Sequence, residues 1–271
     1  MIREPSDTPA SDPFLPTEGI HNLRDYGGWA VPGGARVKRG LLYRSGQHFE
    51  ASDADLESLQ RLGIATIIDL RGLSERTKFP CRRHADFAAR VIAHEGETSS
   101  SPPHEGGGGG VTMTADLAYQ RMISVYTRMP ANPAMITMFT RYFEALDPGA
   151  SGEVGGSLVH CFAGKDRTGI AASLLLHVLG VARDDIVAEY LRTNDAPTKH
   201  VLERQSLPRM RQVYAGFEDA ALANLIDVRP EYIETYFTTV EDAHGSIDAY
   251  LEDRLGVDEQ RKARLREALV G

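Results

Sequence analysis

From Val159 to Ile170 the chain reads Val-His-Cys-Phe-Ala-Gly-Lys-Asp-Arg-Thr-Gly-Ile, with five residues between the cysteine and the arginine. Leu158 and Val159 close a short apolar run that reads as a buried strand, and Thr168 to Leu179 reads as a helix. A strand that enters a helix through so short a loop has few conformations open to it. Successive loop N–H groups, those of Phe162, Ala163, Gly164 and Lys165 among them, must converge at the helix N-terminus, which is an anion site. Arg167 adds a planar fork able to take two oxygens of one anion. The same field lowers a thiol pKa by several units from about 8.5, so Cys161 is expected to be a thiolate. Gly164 can adopt the backbone angles of a tight loop. Thr168 is expected to donate its hydroxyl to the Cys161 sulfur, and His160 to orient the loop by hydrogen bonds. An inert buried cysteine would need neither the glycine nor the two cations around it.

This loop resembles that of the cysteine-dependent tyrosine phosphatases, and more narrowly an atypical microbial branch with the pattern His-Cys-x-x-Gly-Lys-Asp-Arg-Thr-Gly. The likeness continues at Asn22-Leu23-Arg24-Asp25-Tyr26-Gly27-Gly28, at Tyr43-Arg44-Ser45-Gly46 and at Ile67-Ile68-Asp69-Leu70-Arg71. Downstream it includes Glu189-Tyr190-Leu191-Arg192-Thr193-Asn194-Asp195, Tyr232-Ile233 and Gly245-Ser246-Ile247, and so spans roughly residues 19 to 256. The resemblance implies an α/β fold with a mostly parallel central sheet, flanked by helices, and a helix-rich C-terminal part. It implies a metal-independent, cofactor-free phosphatase acting on phosphorylated proteins or phosphoinositides and releasing inorganic phosphate. It also implies helices that serve as a lid over the pocket.

The chemistry needs an in-line attack by Cys161, a general acid for the departing oxygen, and a base that activates water against the phosphocysteine. Arg167 and the loop amides match the spread charge of the transferred group. Many tyrosine phosphatases carry their acid in a Trp-Pro-Asp loop, but the single tryptophan here, Trp29, is followed by Ala30. Dual-specificity relatives carry an aspartate about thirty residues before the cysteine, and Thr127 to Met135 contains no carboxylate. Asp166 is therefore the leading acid, at the position where the family is thought to hold it. A carboxyl beside a phosphate dianion has a raised pKa, which suits a donor near neutral pH. The alternative is that Asp166 orients Arg167 or braces a loop. Asp69, at the carboxyl end of a predicted strand, is the second candidate, with a structural hydrogen bond as its alternative. Lys165, a second loop cation, suits strongly anionic ligands such as phosphoinositides; otherwise it is a surface lysine or a partner for a nearby acid.

Composition fits a soluble enzyme. The 271 residues carry a net charge of −8, against general binding to nucleic acid or anionic membranes. No apolar run reaches the roughly 18 residues of a membrane span, so stable insertion is not expected. No basic region followed by an apolar core begins the chain, so a cytoplasmic location is expected, with leaderless export compatible. Two cysteines make a disulfide framework improbable. Cys81 could trap an oxidised Cys161, but nothing in the spacing brings the two together, and a structural cysteine is the expectation. His177 and His200 are expected to be packing or surface residues, and no metal-ligand spacing appears.

Residues 1–17, with four prolines, read as a flexible tail, and 18–271 as one catalytic domain. Trp29 to Val31 and Arg36 to Tyr43 suggest a hairpin around Pro32-Gly33-Gly34. Ser52 caps a helix bearing Leu56, Leu59 and Leu62, closed at Gly63. Ala65 to Leu70 and Arg90 to His94 read as strands. Residues 95–115, with five consecutive glycines, read as a flexible surface insertion rather than an element of the site mouth. Helices are expected at Asp116 to Met129 and at Asn132 to Leu146, the latter capped by Asn132 with Pro133 at N1. Four more are expected around Asp184 to Leu191, Lys199 to Tyr214, Glu218 to Ile226 and Pro230 to Ala243. Two other functions remain compatible with a cysteine loop: a phosphate-reading pseudophosphatase, and a sulfur-transfer or arsenate-reducing enzyme. The second accounts poorly for Asp166-Arg167-Thr168.

Overall fold

In the computed structural model, which describes residues 12–98, 112–151 and 155–271, the elements run along the chain as follows. The first half holds β1 (Arg24–Asp25), β2 (Leu42–Ser45), α1 (Asp53–Arg61), β3 (Ile64–Asp69), α2 (Leu73–Lys78) and β4 (Arg90–Ala93). Next come β5 (Thr112–Met113), α3 (Ala115–Arg128), α4 (Pro133–Leu146), α5 (Pro148–Ser151), β6 (Gly156–His160) and α6 (Asp166–Leu179). The rest is α7 (Arg183–Leu191), α8 (Lys199–Val213), β7 (Gly216–Phe217), α9 (Asp219–Ile226), α10 (Pro230–His244), α11 (Ile247–Leu255) and α12 (Glu259–Leu269). The main sheet has the order β1-β2-β6-β3-β4, parallel throughout except for the antiparallel β1 at its edge. The expected α/β architecture with a mostly parallel sheet is thus the observed one.

The period-2 alternation of the strands divides the core in two. Leu42, Val159 and Ile68 enter the large core with α3, α4, α6, α10 and α11. Their neighbours Tyr43, Leu158 and Ile67, in register with one another, form a smaller core with Leu56 of α1, Ile20 and Leu23. Every residue of β6 is buried, as befits the middle strand of a parallel sheet. The helix after it, α6, buries almost its whole circumference and ends at Gly180 in the left-handed region, φ +91°. That helix therefore has little freedom to move, and its N-terminus is a fixed point.

Local capping follows the sequence. Ser52 accepts from Asp55 N–H at 3.2 Å, and Asn132 accepts from Ala134 and Met135 N–H with Pro133 at N1. Several expectations change. The hairpin reduces to one antiparallel bridge, Ala30 with Arg36, because Leu42–Ser45 is needed inside the sheet. Residues 12–17, expected in a tail, lie along the sheet edge, where Phe14 bridges Arg24 and Leu15 N–H donates to Leu23 O at 3.0 Å. Residues 1–11 and the glycine run lie outside the described residues. The described ends of the expected insertion are built in: Thr98 donates to Leu70 O at 3.0 Å, and β5 pairs with β7. Helix α6 starts at Asp166, two residues earlier than its pattern suggests, and α2, α5, α11 and α12 lie outside the expected helices. No described helix is long and apolar enough to cross a membrane.

Phe139 of α4 is fully buried in the large core. Phe139→Ala should lower the unfolding free energy by about 3–5 kcal/mol, read as a lower denaturant midpoint at constant slope.

Candidate active site

The loop Cys161–Lys165 leaves the carboxyl end of β6, where Ser45, His160 and Asp69 sit side by side in register. Ligands in parallel α/β sheets gather at this end. Gly164 has φ +65°, and a Cβ there would lie 2.3 Å from Gly46 N and from the Ser45 carbonyl carbon. Only glycine meets both conditions. The loop carbonyls are drawn away from the site. Gly164 O accepts from Asn22 Nδ2 at 2.8 Å and from Arg44 Nη2 at 3.0 Å, and Phe162 O accepts from Gln47 N–H at 3.0 Å. With the carbonyls held outside, the N–H groups are left to face an anion.

The braces are themselves fixed. Glu189 of α7 bridges Arg24 at 2.8 Å and Arg44 at 2.7 Å, all three fully buried. Burial would push the Glu189 pKa up, but the two guanidiniums more than reverse it, so its pKa is lowered. Asn22 adopts φ +59°, the one positive φ among described non-glycine residues, and its Oδ1 accepts from Arg24.

Cys161 lies beside Arg167 in a cavity of about 180 Å³ with mainly apolar walls, including Met122, Val125, Met129, Leu202, Met210 and Ile226. Arg167 is held by Glu75 of α2, Nη1 to Oε2 at 2.6 Å and Nη2 to Oε1 at 2.9 Å. Nη1 also donates to Thr98 Oγ1 at 3.1 Å and Leu70 O at 3.2 Å. Of the five N–H groups, the Nε–H and one on Nη2 have no acceptor among the described residues, and they lie on one edge of the fork. Burial works against the Arg167 charge, and the Glu75 carboxylate restores it, leaving its pKa above the ordinary value.

Two loop residues depart from expectation. Lys165 is buried, its Nζ donating to Leu225 O at 2.6 Å and Asp227 O at 3.3 Å and standing 3.6 Å from Asp166 Oδ1. Its charge fastens the end of α9 to the loop and meets Asp166, the expected alternative of a partner for a nearby acid, while the residue also lines the cavity. Thr168 Oγ1 is buried with no partner among the described residues, so the expected bond to the Cys161 sulfur is not formed. Asp166 lines the cavity, and its Oδ1 accepts from Tyr126 Oη at 2.7 Å. Tyr126 Oη is in turn 2.6 Å from Tyr190 Oη. Phe162 packs edge-on against Phe79, with the Arg209 guanidinium 5.0 Å from each ring.

Behind the loop, Asp69 is 2% exposed and accepts from Arg71 Nε at 2.9 Å, Nη2 at 2.7 Å and N–H at 3.1 Å. Burial alone would raise its pKa; His160 and Arg71 lower it to about 2. That is the state of a fixed anion. His160 stacks on His48 with centroids 4.9 Å apart, and burial lowers its pKa to about 4. It is therefore neutral at pH 7, and its 3.6 Å approach to Asp69 is no ion pair. Cys81 Sγ accepts from Arg71 Nη2 at 3.0 Å. Asp69, Cys81 and His160 bring potential ligand atoms within 4.8 Å of one another, but Arg71 already supplies the cation there. His177 lies 3.4 Å from Asp248 on the helical side, away from the cavity residues.

Glu75, Thr98, Tyr126, Tyr190 and Glu189 were not singled out from sequence as site residues. Glu75 carried one signal, its position three residues after Gly72 at the start of a helix, where its Oε2 accepts from Gly72 N–H at 3.1 Å. Tyr126 and Tyr190 look like ordinary core residues in sequence.

A buried thiol stands beside a braced arginine on a loop that leaves the carboxyl end of a parallel sheet. The family model described as the tyrosine phosphatase family matches residues 15–271, and the chain belongs to that family and is a phosphatase. It is 38% identical over 250 residues to a Cupriavidus necator protein assigned by name to the tyrosine-protein phosphatases, covering 90% of this chain and 85% of that one. It is 28% identical over 285 residues to the triple specificity protein phosphatase PtpB of Mycobacterium tuberculosis, covering 93% and 98%. The solved structure of Pseudomonas aeruginosa TpbA matches with 16% identity and a TM-score of 0.30 over 73% of this chain and 94% of its own, too low a likeness to argue from.

Glu189→Gln leaves two buried guanidiniums facing a neutral amide. It should cost about 3–5 kcal/mol of stability and lower kcat/KM as the loop loosens, measured by chemical denaturation and steady-state kinetics. Acid should unfold the protein in two stages. His21 and His160 have folded pKa values near 4, against 6.5 in the unfolded chain, with burial the main cause in both. The unfolded state thus binds more protons between these values, and stability falls as pH drops from 6.5 to 4, by about 3 kcal/mol for each histidine. Asp69, depressed from 3.8 to about 2, contributes stability above its unfolded value that is lost as pH falls through that lower window. Thermal unfolding followed from pH 7 to pH 3 checks both stages.

Proposed function

We propose that this protein hydrolyses phosphotyrosine through a phosphocysteine intermediate. The observation that carries this reading is the pairing of Cys161 and the open edge of Arg167 with a cavity whose walls are largely apolar. Such walls suit an aromatic ring better than a serine or an inositol. The phosphoryl group sits over the loop amides of Phe162, Ala163, Gly164 and Lys165, and the Nε/Nη2 edge of Arg167 takes two of its oxygens. Cys161 Sγ attacks phosphorus while the P–O bond to the leaving group breaks and Asp166 delivers its proton to that oxygen. Water then attacks the phosphocysteine, giving a proton back to Asp166 as the S–P bond breaks and inorganic phosphate leaves. Asp69 remains ionised throughout and positions Arg71 and the underside of the loop. His160 and Thr168 shape the loop without moving protons.

Phosphoinositides and phosphoserine or phosphothreonine are secondary substrates in this reading. Arg128 and Arg209 line the cavity and supply charge for a second phosphate, a part that Lys165 does not play. The test offers phosphotyrosine peptides, phosphoserine peptides and phosphoinositides to wild type, Cys161→Ser and Asp166→Asn without added metal. Phosphate release should be greatest from phosphotyrosine and abolished in Cys161→Ser. Asp166→Asn should lower kcat on phenyl phosphate by about 10²-fold or more. Retained binding without any turnover by wild type would instead identify a phosphate-reading module.

A further inference from the structure

We propose that Tyr126, which lies 40 residues before Asp166 in the chain, is a positioning residue that confines the Asp166 proton to Oδ2 and so leaves that oxygen to serve the leaving group. This rests on the reading of Asp166 as the proton carrier. Tyr126 and Tyr190 are both fully buried, and a phenol has one hydrogen to give. Tyr126 Oη donates to Asp166 Oδ1 at 2.7 Å, so the hydrogen in the 2.6 Å Tyr126–Tyr190 contact belongs to Tyr190. A chain of donors therefore runs Tyr190 to Tyr126 to Asp166, and all of it arrives at Oδ1. Lys165 Nζ approaches that same oxygen, at 3.6 Å. With Oδ1 committed to accepting, the proton of the acid form resides on Oδ2. When it leaves, the Tyr126 hydroxyl remains to stabilise the carboxylate until water returns a proton.

The chain is held rigidly. Tyr126 stacks on Tyr232 with centroids 5.7 Å apart, and Tyr190 fills the space over Gly169, where a Cβ would come within 2.8 Å of its ring. This gives Gly169 its place in the loop motif: any side chain there would dislodge Tyr190. Neither tyrosine can act as the acid itself, since burial raises both phenol pKa values well above the ordinary one. Besides the two tyrosines and Lys165, the titratable groups facing Asp166 are Arg167, next to it in the chain, and Tyr232 from α10.

The experiment compares wild type, Tyr126→Phe and Asp166→Asn on aryl phosphates whose leaving groups span a range of acidity, across pH. Tyr126→Phe should cut kcat about ten- to a hundred-fold on the poorest leaving groups, the loss expected for one hydrogen bond to a charged group. It should leave the best leaving group nearly untouched, which also reports that the variant is folded. With one donor to the carboxylate lost, the basic limb of the kcat profile should move up in pH. An unchanged leaving-group dependence and limb in Tyr126→Phe, with a steepened dependence in Asp166→Asn, overturns the role of Tyr126 and spares that of Asp166. A wild-type dependence in Asp166→Asn overturns both. Should Tyr126→Phe not fold, 3-fluorotyrosine at position 126, a stronger donor of nearly the same shape, must move the basic limb down; an unmoved limb overturns the proposal.

Discussion

The site depends on one buried carboxylate. Glu189 stands between Arg24 and Arg44, and through Arg44 and Asn22 it controls the direction of the Gly164 carbonyl. Taking three charges out of water is costly, and apolar residues of similar size would pack at least as stably. What they could not do is draw a carbonyl backward. A loop that must turn its amides toward an anion has to put its carbonyls somewhere, and in a buried loop each must find a donor. Two such donors converge on one oxygen here. The cost of desolvating the ions is offset against a peptide orientation that the loop would not hold alone.

The same division of labour recurs around the loop. Arg24, Arg44 and Arg71 are spent on structure, each buried and each aimed at a carboxylate. Arg167 is also paired, with Glu75, yet the pairing occupies one side of its fork and leaves the Nε/Nη2 edge without an acceptor among the described residues. Glu75 thus fixes the arginine without satisfying it. Lys165 is the opposite case: a flexible ammonium can be drawn wholly into local carbonyls, and Leu225 and Asp227 do so. That ties α9 to the Cys161–Lys165 loop and makes one wall of the cavity part of the same rigid unit.

What could be read from the sequence divides along the same line. The strand, loop and helix from Leu158 to Leu179 were legible because their signals are local: an apolar run, a glycine, a helix pattern. The capped helices at Ser52 and Asn132 were legible for the same reason. Glu75, Tyr126 and Glu189 were not, since each acts on residues 40 to 165 positions away. Sequence separation carries no hint of such pairs without the register of the sheet. For Lys165 and Asp69 a ligand-facing role and a structural one both stay open in the sequence, because a letter records charge and not burial. Leu42 and Tyr43 fall within the expected hairpin because their pattern suits any β-partner, and the choice between a local turn and β6 is made by the two cores.

A last consequence concerns the acid. In the proposed mechanism nucleophile and proton carrier belong to one loop, five residues apart, and both rest on α6, whose burial leaves it little room to move. An acid carried on a separate mobile segment must be brought in at every turnover, and such closures often limit kcat. Here the ordering is done once, when the chain folds, through Tyr126, Tyr190 and the space over Gly169. Preorganisation of this kind removes a conformational step from the chemistry and transfers its cost to stability. It also explains why so many polar groups are buried so close together at the end of the sheet. They are what hold a short loop of conflicting charges in one arrangement before any substrate arrives.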